Sequence, residues 1–178
     1  PPLDEQDHVR GKEDASVVLV EYGDLQCPAC ASFHPIIKQL EEDFADDLKV
    51  VFRHYPLTSI HSNAELAAKA SEAASLQGKF WEMHDMLFEK QRDWAQSNTA
   101  REIFVEYAGV LELDTVQFEE DMDKQEIADV IEADTREGTS AGVRGTPSFF
   151  LQGERIANPR NYEAFSTLIT TAIQEASL

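Results

Sequence analysis

The chain has 178 residues, 42% of them hydrophobic and 28% charged, the size and balance of one globular domain that buries roughly 70% of its unfolded surface. Its 34 Asp and Glu against 15 Lys and Arg give a net charge of -19, which argues against nucleic acid and anionic membranes as partners and fits a solvated acidic exterior. No apolar run approaches the ~20 residues needed to span a bilayer.

In chain order, residues 1–14 are polar and read as an arm or short edge element. Pro1 stands where an initiator Met would be, which reads as a processed or trimmed chain that a signal peptide or anchor could have preceded. Ser16 to Tyr22 is a short, β-branched apolar run and predicts a buried strand. Gly23-Asp24 turns the chain into Cys27-Pro28-Ala29-Cys30, which holds both cysteines of the sequence. A helix is predicted from about Pro28 to Phe44, with Ile36, Ile37, Leu40 and Phe44 at helical spacing and a kink near Ala31 to His34 caused by Pro35. Lys49 to His54 predicts a second strand, parallel to the first across that helix.

Residues 62–138 are helix-rich. Ser62 can cap a first helix, Phe80 to Phe88 forms an apolar segment, Asp114 with Gln117 signals a cap, and Ile127, Val130 and Ile131 mark another helix. Ser148 to Leu151 and Glu154 to Ala157 flank Gln152-Gly153 as a hairpin. A final helix, about Pro159 to Ala176, carries Phe165, Leu168, Ile169, Ala172 and Ile173 on one stripe. The expected class is α/β: a βαβ part (1–61), an inserted helical subdomain (62–138) and a ββα part (139–178).

The Cys-x-x-Cys turn carries the chemistry. Two thiols closed by two residues can switch between dithiol and disulfide, and a helix start stabilises thiolate over thiol. The first cysteine is expected exposed and nucleophilic, and Cys30 half-buried and resolving. Pro28 suits the first helical turn, while Ala29 offers neither charge nor side-chain hydrogen bond. Asp24 and Glu21 bring negative charge, so only a moderate depression of the Cys27 pKa is expected. The competing reading makes the cysteines half of a metal site completed by His34, His54 or His61; lacking further cysteines, the redox reading is preferred and no metal is expected.

Glu21 ends the apolar run, either under the helix, where it could take the Cys30 proton, or as a strand-end carboxylate in solvent. Gly145-Thr146-Pro147 opens the third strand; if its bond is cis, the Thr146 backbone is left free to pair with an extended peptide. His34, one turn after Cys30, reads as a surface or packing histidine. Trp81 with Phe80, Met83 and Phe88 reads as subdomain core, with a substrate groove as the alternative.

The strand-Glu21-x5-CPAC-helix segment, FWEMHDMLF at 80–88 and GVRGTP at 142–147 together resemble the DsbA-like branch of the thioredoxin superfamily, over nearly the whole chain from Ser16. The resemblance implies a thioredoxin fold with a helical insertion, a cis bond before Pro147, Cys27 as attacking and Cys30 as resolving thiol, Glu21 as the buried acid, and Thr146 as a substrate-strand contact. It also implies a protein thiol–disulfide oxidoreductase, most readily a monomeric oxidase outside the cytoplasm. Its partners would be reduced or misoxidised polypeptides and a quinone-linked membrane reoxidase, and its cofactor would be none beyond the Cys27–Cys30 disulfide. A reductase, an isomerase and a non-enzymatic binding module are the rival readings. Ala29 replaces the His that helps hold the thiolate in the strongly oxidising archetype.

Overall fold

A computed structural model describes residues 2–177. It contains a five-stranded sheet ordered β1-β3-β2-β4-β5, with strands β1 (His8–Gly11), β2 (Val17–Gly23), β3 (Leu48–His54), β4 (Ser148–Leu151) and β5 (Glu154–Ile156). Strands β2 and β3 run parallel, joined by helix α1 (Pro28–Asp43), while β1, β4 and β5 pair antiparallel. The N-terminal arm supplies the edge strand β1, and the strand bounds agree with the sequence to within a residue at most ends.

Period-two alternation decides which residues face which layer. Val17, Leu19 and Glu21 point to one face of β2. On that face Leu48 and Val50 of β3, with Phe149 and Leu151 of β4, pack against Ile37 and Leu40 of α1 and against Phe165 and Ile169 of α8 (Tyr162–Ala176). The other face carries Val20, Tyr22, Val51 and Phe150 under Val143. Arg53 is buried on that second face. Its guanidinium pairs with both carboxylate oxygens of Asp7, donates to the Tyr22 hydroxyl and binds Glu137, which fastens the arm and a neighbouring helix to the sheet.

Six helices separate β3 from β4: α2 (Ala64–Ser75), α3 (Phe80–Glu89), α4 (Gln91–Trp94), α5 (Ala100–Val110), α6 (Thr115–Asp121) and α7 (Gln125–Ser140). Their core gathers Met83, Leu87, Trp94, Phe104 and Phe118, and is continuous with Leu25, Cys27, Cys30 and Phe52. The helical block is therefore packed directly on the cysteine turn.

Several helix starts differ from the expected ones. Asn63, not Ser62, precedes α2, and its amide is spent on the carbonyls of Trp94, Ala95 and Ser97. The last helix starts at Tyr162 because the Asn161 side chain accepts from the Ala164 N–H, so Pro159 stays outside. Asp114 does cap α6 through the Gln117 N–H, but the Gln117 side chain turns forward to Asp121 rather than back. The hairpin turn is as expected: Gln152 and Gly153 both have positive φ, 51° and 83°.

Candidate active site

Strand β2 delivers the chain to Asp24, whose fully buried carboxylate accepts from the backbone N–H of Gln26 (2.7 Å) and of Leu57 (2.9 Å) and meets His61 Nδ1 at 2.6 Å. The Asp24 carbonyl accepts from the Cys27 N–H at 3.0 Å. Cys27 then takes an extended conformation as the residue before α1, and Pro28 occupies the first helical position, where a missing N–H costs nothing. The helical block clamps the turn from outside. Gln91 donates to the carbonyls of Leu25 (2.8 Å) and Cys27 (3.1 Å), and Gln26 bridges the Asn63 N–H and the Ala95 carbonyl.

Both cysteines are free thiols and both are buried, with 6% of Cys27 and 1% of Cys30 accessible. The expectation of an exposed Cys27 is thus corrected: the helical block and the Thr146 loop cover most of it. The expected moderate pKa depression is corrected as well, because the Cys27 thiol is pulled down to about 5. A hydrogen bond from the Cys30 thiol is the largest cause; the Thr146 hydroxyl and the backbone N–H groups of Cys30 and Ala29 add to it, against the opposing effect of burial. Cys30 moves the other way, well above its ordinary value, because it is desolvated and its proton is held by Cys27 and guarded by the nearby Glu21 charge.

Glu21 is buried, with one carboxylate oxygen lacking any hydrogen-bond partner. Its register explains this: Phe52 of β3 and Phe149 of β4 flank it in the sheet, and α1 covers it. Burial, followed by repulsion from the Cys27 thiolate and from Glu41, raises its pKa to about 8. Near neutral pH the site therefore combines a thiolate at Cys27, a thiol at Cys30 and a protonated carboxylic acid at Glu21. The negative charge expected to oppose the thiolate yields to it instead: Glu21 keeps its proton, and Asp24 is spent on two N–H groups and His61.

The Thr146–Pro147 peptide bond is cis, and the Cys27 Sγ lies 3.5 Å from the Thr146 carbonyl oxygen. The Thr146 hydroxyl is buried without a hydrogen-bond partner. Two hollows flank this junction. One of about 660 Å³ runs between Pro28, Ala31 and Pro35 of α1 and Phe88 to Asp93; the other, about 510 Å³, is bounded by Gly145 to Ser148 and Arg155 to Asn158.

Geometry separates the cysteines from the histidines of the metal reading. His54 meets Glu72 at 2.9 Å, His61 meets Asp24, and His34 lies under α1 beside His84 and Asp85. His34 is buried rather than on the surface. Trp81 lies away from the thiols, beneath the Arg10 guanidinium at 4.3 Å and donating to the Val9 carbonyl. Sequence reasoning missed Gln26 and Gln91 and named His61 only as a metal candidate, yet these three residues hold the turn. Their partners lie 37 to 69 positions away, and no local pattern marks them.

The family described as Thioredoxin matches residues 3–171. Among solved structures, the oxidised form of BdbD from Bacillus subtilis is 28% identical with a TM-score of 0.83, covering 93% of this chain and 92% of that one. Alpha-DsbA1 from Wolbachia pipientis, 21% identical, shares the fold at a TM-score of 0.87 over 99% of this chain and 94% of its own. Curated relatives are longer proteins. The Na(+)/H(+) antiporter NhaA 3 of Salinispora tropica is 39% identical over 178 residues, which is 99% of this chain but 26% of that protein. The NhaA 1 antiporter of Salinispora arenicola is 40% identical over 172 residues, 96% of this chain and again 26% of the relative. The chain thus spans about a quarter of the length of these relatives. With the family matched over almost every residue and the fold shared from end to end with BdbD and alpha-DsbA1, the chain belongs to the thioredoxin family and is DsbA-like in structure.

Proposed function

We propose that the chain is a protein thiol–disulfide oxidoreductase that acts as an oxidase. The observation that carries this reading is the opposite displacement of the two thiols, with Cys27 at about 5 and Cys30 well above its ordinary value. A stabilised thiolate favours the reduced pair, which makes the disulfide a stronger oxidant. A client thiolate attacks Cys27 Sγ of the Cys27–Cys30 disulfide. The Cys27–Sγ bond to Cys30 breaks, a mixed disulfide forms, and Cys30 leaves as thiolate and takes a proton from Glu21. A second client thiolate attacks the client sulfur and expels Cys27 as a low-pKa thiolate. The client has lost two electrons and gained a disulfide, and the cysteine pair has gained those electrons.

Pro28 and Ala29 keep the loop short and free of competing charge, and Thr146 with Pro147 presents backbone for an extended client. Clients are reduced or misoxidised polypeptides. The work is done outside the cytoplasm by a monomer that a quinone-linked membrane partner reoxidises, since a disulfide so readily reduced persists only where the ambient poise is oxidising. The disulfide is its only redox group.

Equilibration against glutathione tests the direction. A potential near about -120 mV supports oxidation, and one near about -270 mV assigns reduction instead. Cys30→Ser should accumulate a mixed disulfide with a test protein that carries a disulfide, because Cys27 attacks it and no resolving thiol releases the product. Disulfide transfer that survives Cys27→Ser would remove the enzymatic reading altogether.

A further inference from the structure

Beneath α1, one turn beyond Cys30, lies a cluster that the thiol chemistry does not use. His34 comes from α1, and His84 and Asp85 come from α3. One nitrogen of each ring and one oxygen of Asp85 lie within 4.8 Å of one another. The sequence expectation of no metal concerns the cysteine pair, and this cluster is separate from it.

Two observations set it apart from ordinary core packing. His34 and His84 are more than nine-tenths buried, and the Nε2 atoms of both lack any hydrogen-bond partner. Buried ring nitrogens are nearly always paired, so the His34 orphan, which faces Asp85 and Glu89, calls for an explanation. The second is orientation. His84 Nδ1 faces Asp85 Oδ1 at 2.9 Å, so this nitrogen, rather than Nε2 on the far side of the ring, is the one that a cation shared with Asp85 would engage in place of a proton. His34 Nε2 lies 3.9 Å from Asp85 Oδ1 and 3.8 Å from Glu89 Oε1.

We propose that His34, His84 and Asp85 form a site for a divalent cation of the zinc class. Two imidazoles with a carboxylate suit such an ion, and bond lengths of about 2.0 Å require the ligands to close by about 1 Å. Glu89, half-exposed at the lip of the 660 Å³ hollow that His34 also lines, is placed to swing in as a fourth ligand, and the hollow gives the ion its path. Arg10 (2.8 Å) and Lys38 (3.5 Å) occupy Asp85 Oδ2, so the metal would take Oδ1 in place of the proton on His84 Nδ1, and the two cations hold affinity below that of an all-thiolate site. A bound ion would cross-link the helix that carries the cysteines to the helical block.

The test uses the full chain in its disulfide form, so that neither cysteine can bind metal. After chelator treatment, titration with zinc chloride in a calorimeter should show one equivalent bound. His34→Gln and Asp85→Asn should each weaken binding at least tenfold, with fold checked by circular dichroism. His34→Gln replaces a side chain at the hollow's lip, so it reports even if Asp85→Asn does not fold. Cobalt(II) should give the visible bands of a four-coordinate nitrogen and oxygen site. Absence of stoichiometric uptake by the unaltered protein, or uptake undiminished by His34→Gln, overturns the proposal and assigns the binding to the acidic surface.

Discussion

The Cys27 thiol lies 3.5 Å from the carbonyl oxygen of Thr146, although 119 positions separate the two residues. The buried Thr146 hydroxyl has no other hydrogen-bond partner and is a donor that lowers the Cys27 pKa. Removing the hydroxyl while keeping the backbone separates the two effects. Thr146→Ala is expected to raise the Cys27 pKa by about 1 unit, the worth of one hydrogen bond. The disulfide should become less oxidising by about 30 mV. Thiolate absorbance against pH measures the first and glutathione equilibration the second. An unchanged titration would show that the hydroxyl does not serve the sulfur.

Glu21 and Cys27 oppose each other in the pH dependence of stability. Glu21 is raised to about 8 in the fold, so the native state holds its proton while the unfolded chain has released it, and stability falls as pH rises from about 4 to 8. Cys27 is lowered to about 5, so the native state loses a proton the unfolded chain keeps, and stability rises between about pH 5 and 8.5. In that shared window the two slopes largely cancel. Glu21→Gln removes one of them. The reduced variant is expected to gain stability with pH relative to the parent, by on the order of 2–3 kcal/mol between pH 5 and 8. Urea unfolding at a series of pH values measures this; parallel curves for variant and parent would mean that Glu21 is not protonated at neutral pH. The same variant should slow turnover of the mixed disulfide about 10- to 100-fold, since the proton exchanged with Cys30 loses its carboxylic acid.

Much of this site is legible from the chain alone, for local reasons. Alternation along Val17 to Glu21 leaves the carboxylate either on the face that α1 covers or at a strand end in solvent, and Pro28 marks the helix start behind Cys27. Thr146-Pro147 announces a strand mouth because proline cannot join a sheet ladder in its middle. What is not legible is the depth of the thiolate stabilisation. Counting acids near Cys27 gives too small a depression, because only the fold shows that His61 and Leu57 engage Asp24. Nor does the sequence show that Phe52 and Phe149 flank Glu21 and keep it protonated. The burial of Cys27 is likewise a property of the helical block, and the residues that clamp it are an ordinary Gln26 and an ordinary Gln91.

Gln91 makes that clamp testable. Its amide donates to two carbonyls of the cysteine turn, those of Leu25 and Cys27, in a buried setting. Gln91→Leu keeps the volume but leaves both carbonyls without a partner, and each such loss costs about 1–2 kcal/mol. The variant should lose about 2–4 kcal/mol in urea unfolding. It should also shift the Cys27 titration, because the backbone N–H groups that face the sulfur belong to the same turn. A loss of stability with no change in titration would confine Gln91 to packing.

Gly138 tests how tightly α7 is seated on the opposite face of the sheet. A Cβ there would come within 2.8 and 2.9 Å of two Tyr22 ring carbons and 3.0 Å of the Tyr55 ring. Neither ring is free to retreat: the Tyr22 hydroxyl accepts from buried Arg53 and its ring packs edge-on against Phe150, while Tyr55 donates to the Val143 carbonyl. Alanine gains about 1 kcal/mol over glycine as a helix former, but overpacking against fixed rings costs about 1–3 kcal/mol, so Gly138→Ala is expected to be neutral at best and destabilising by up to about 2 kcal/mol. Tyr22 and Glu21 point to opposite faces of β2, so the Cys27 titration should stay unchanged in this variant. A stabilised Gly138→Ala protein would show that α7 can slide on the sheet, and a shifted thiol pKa that the two faces are coupled through β2.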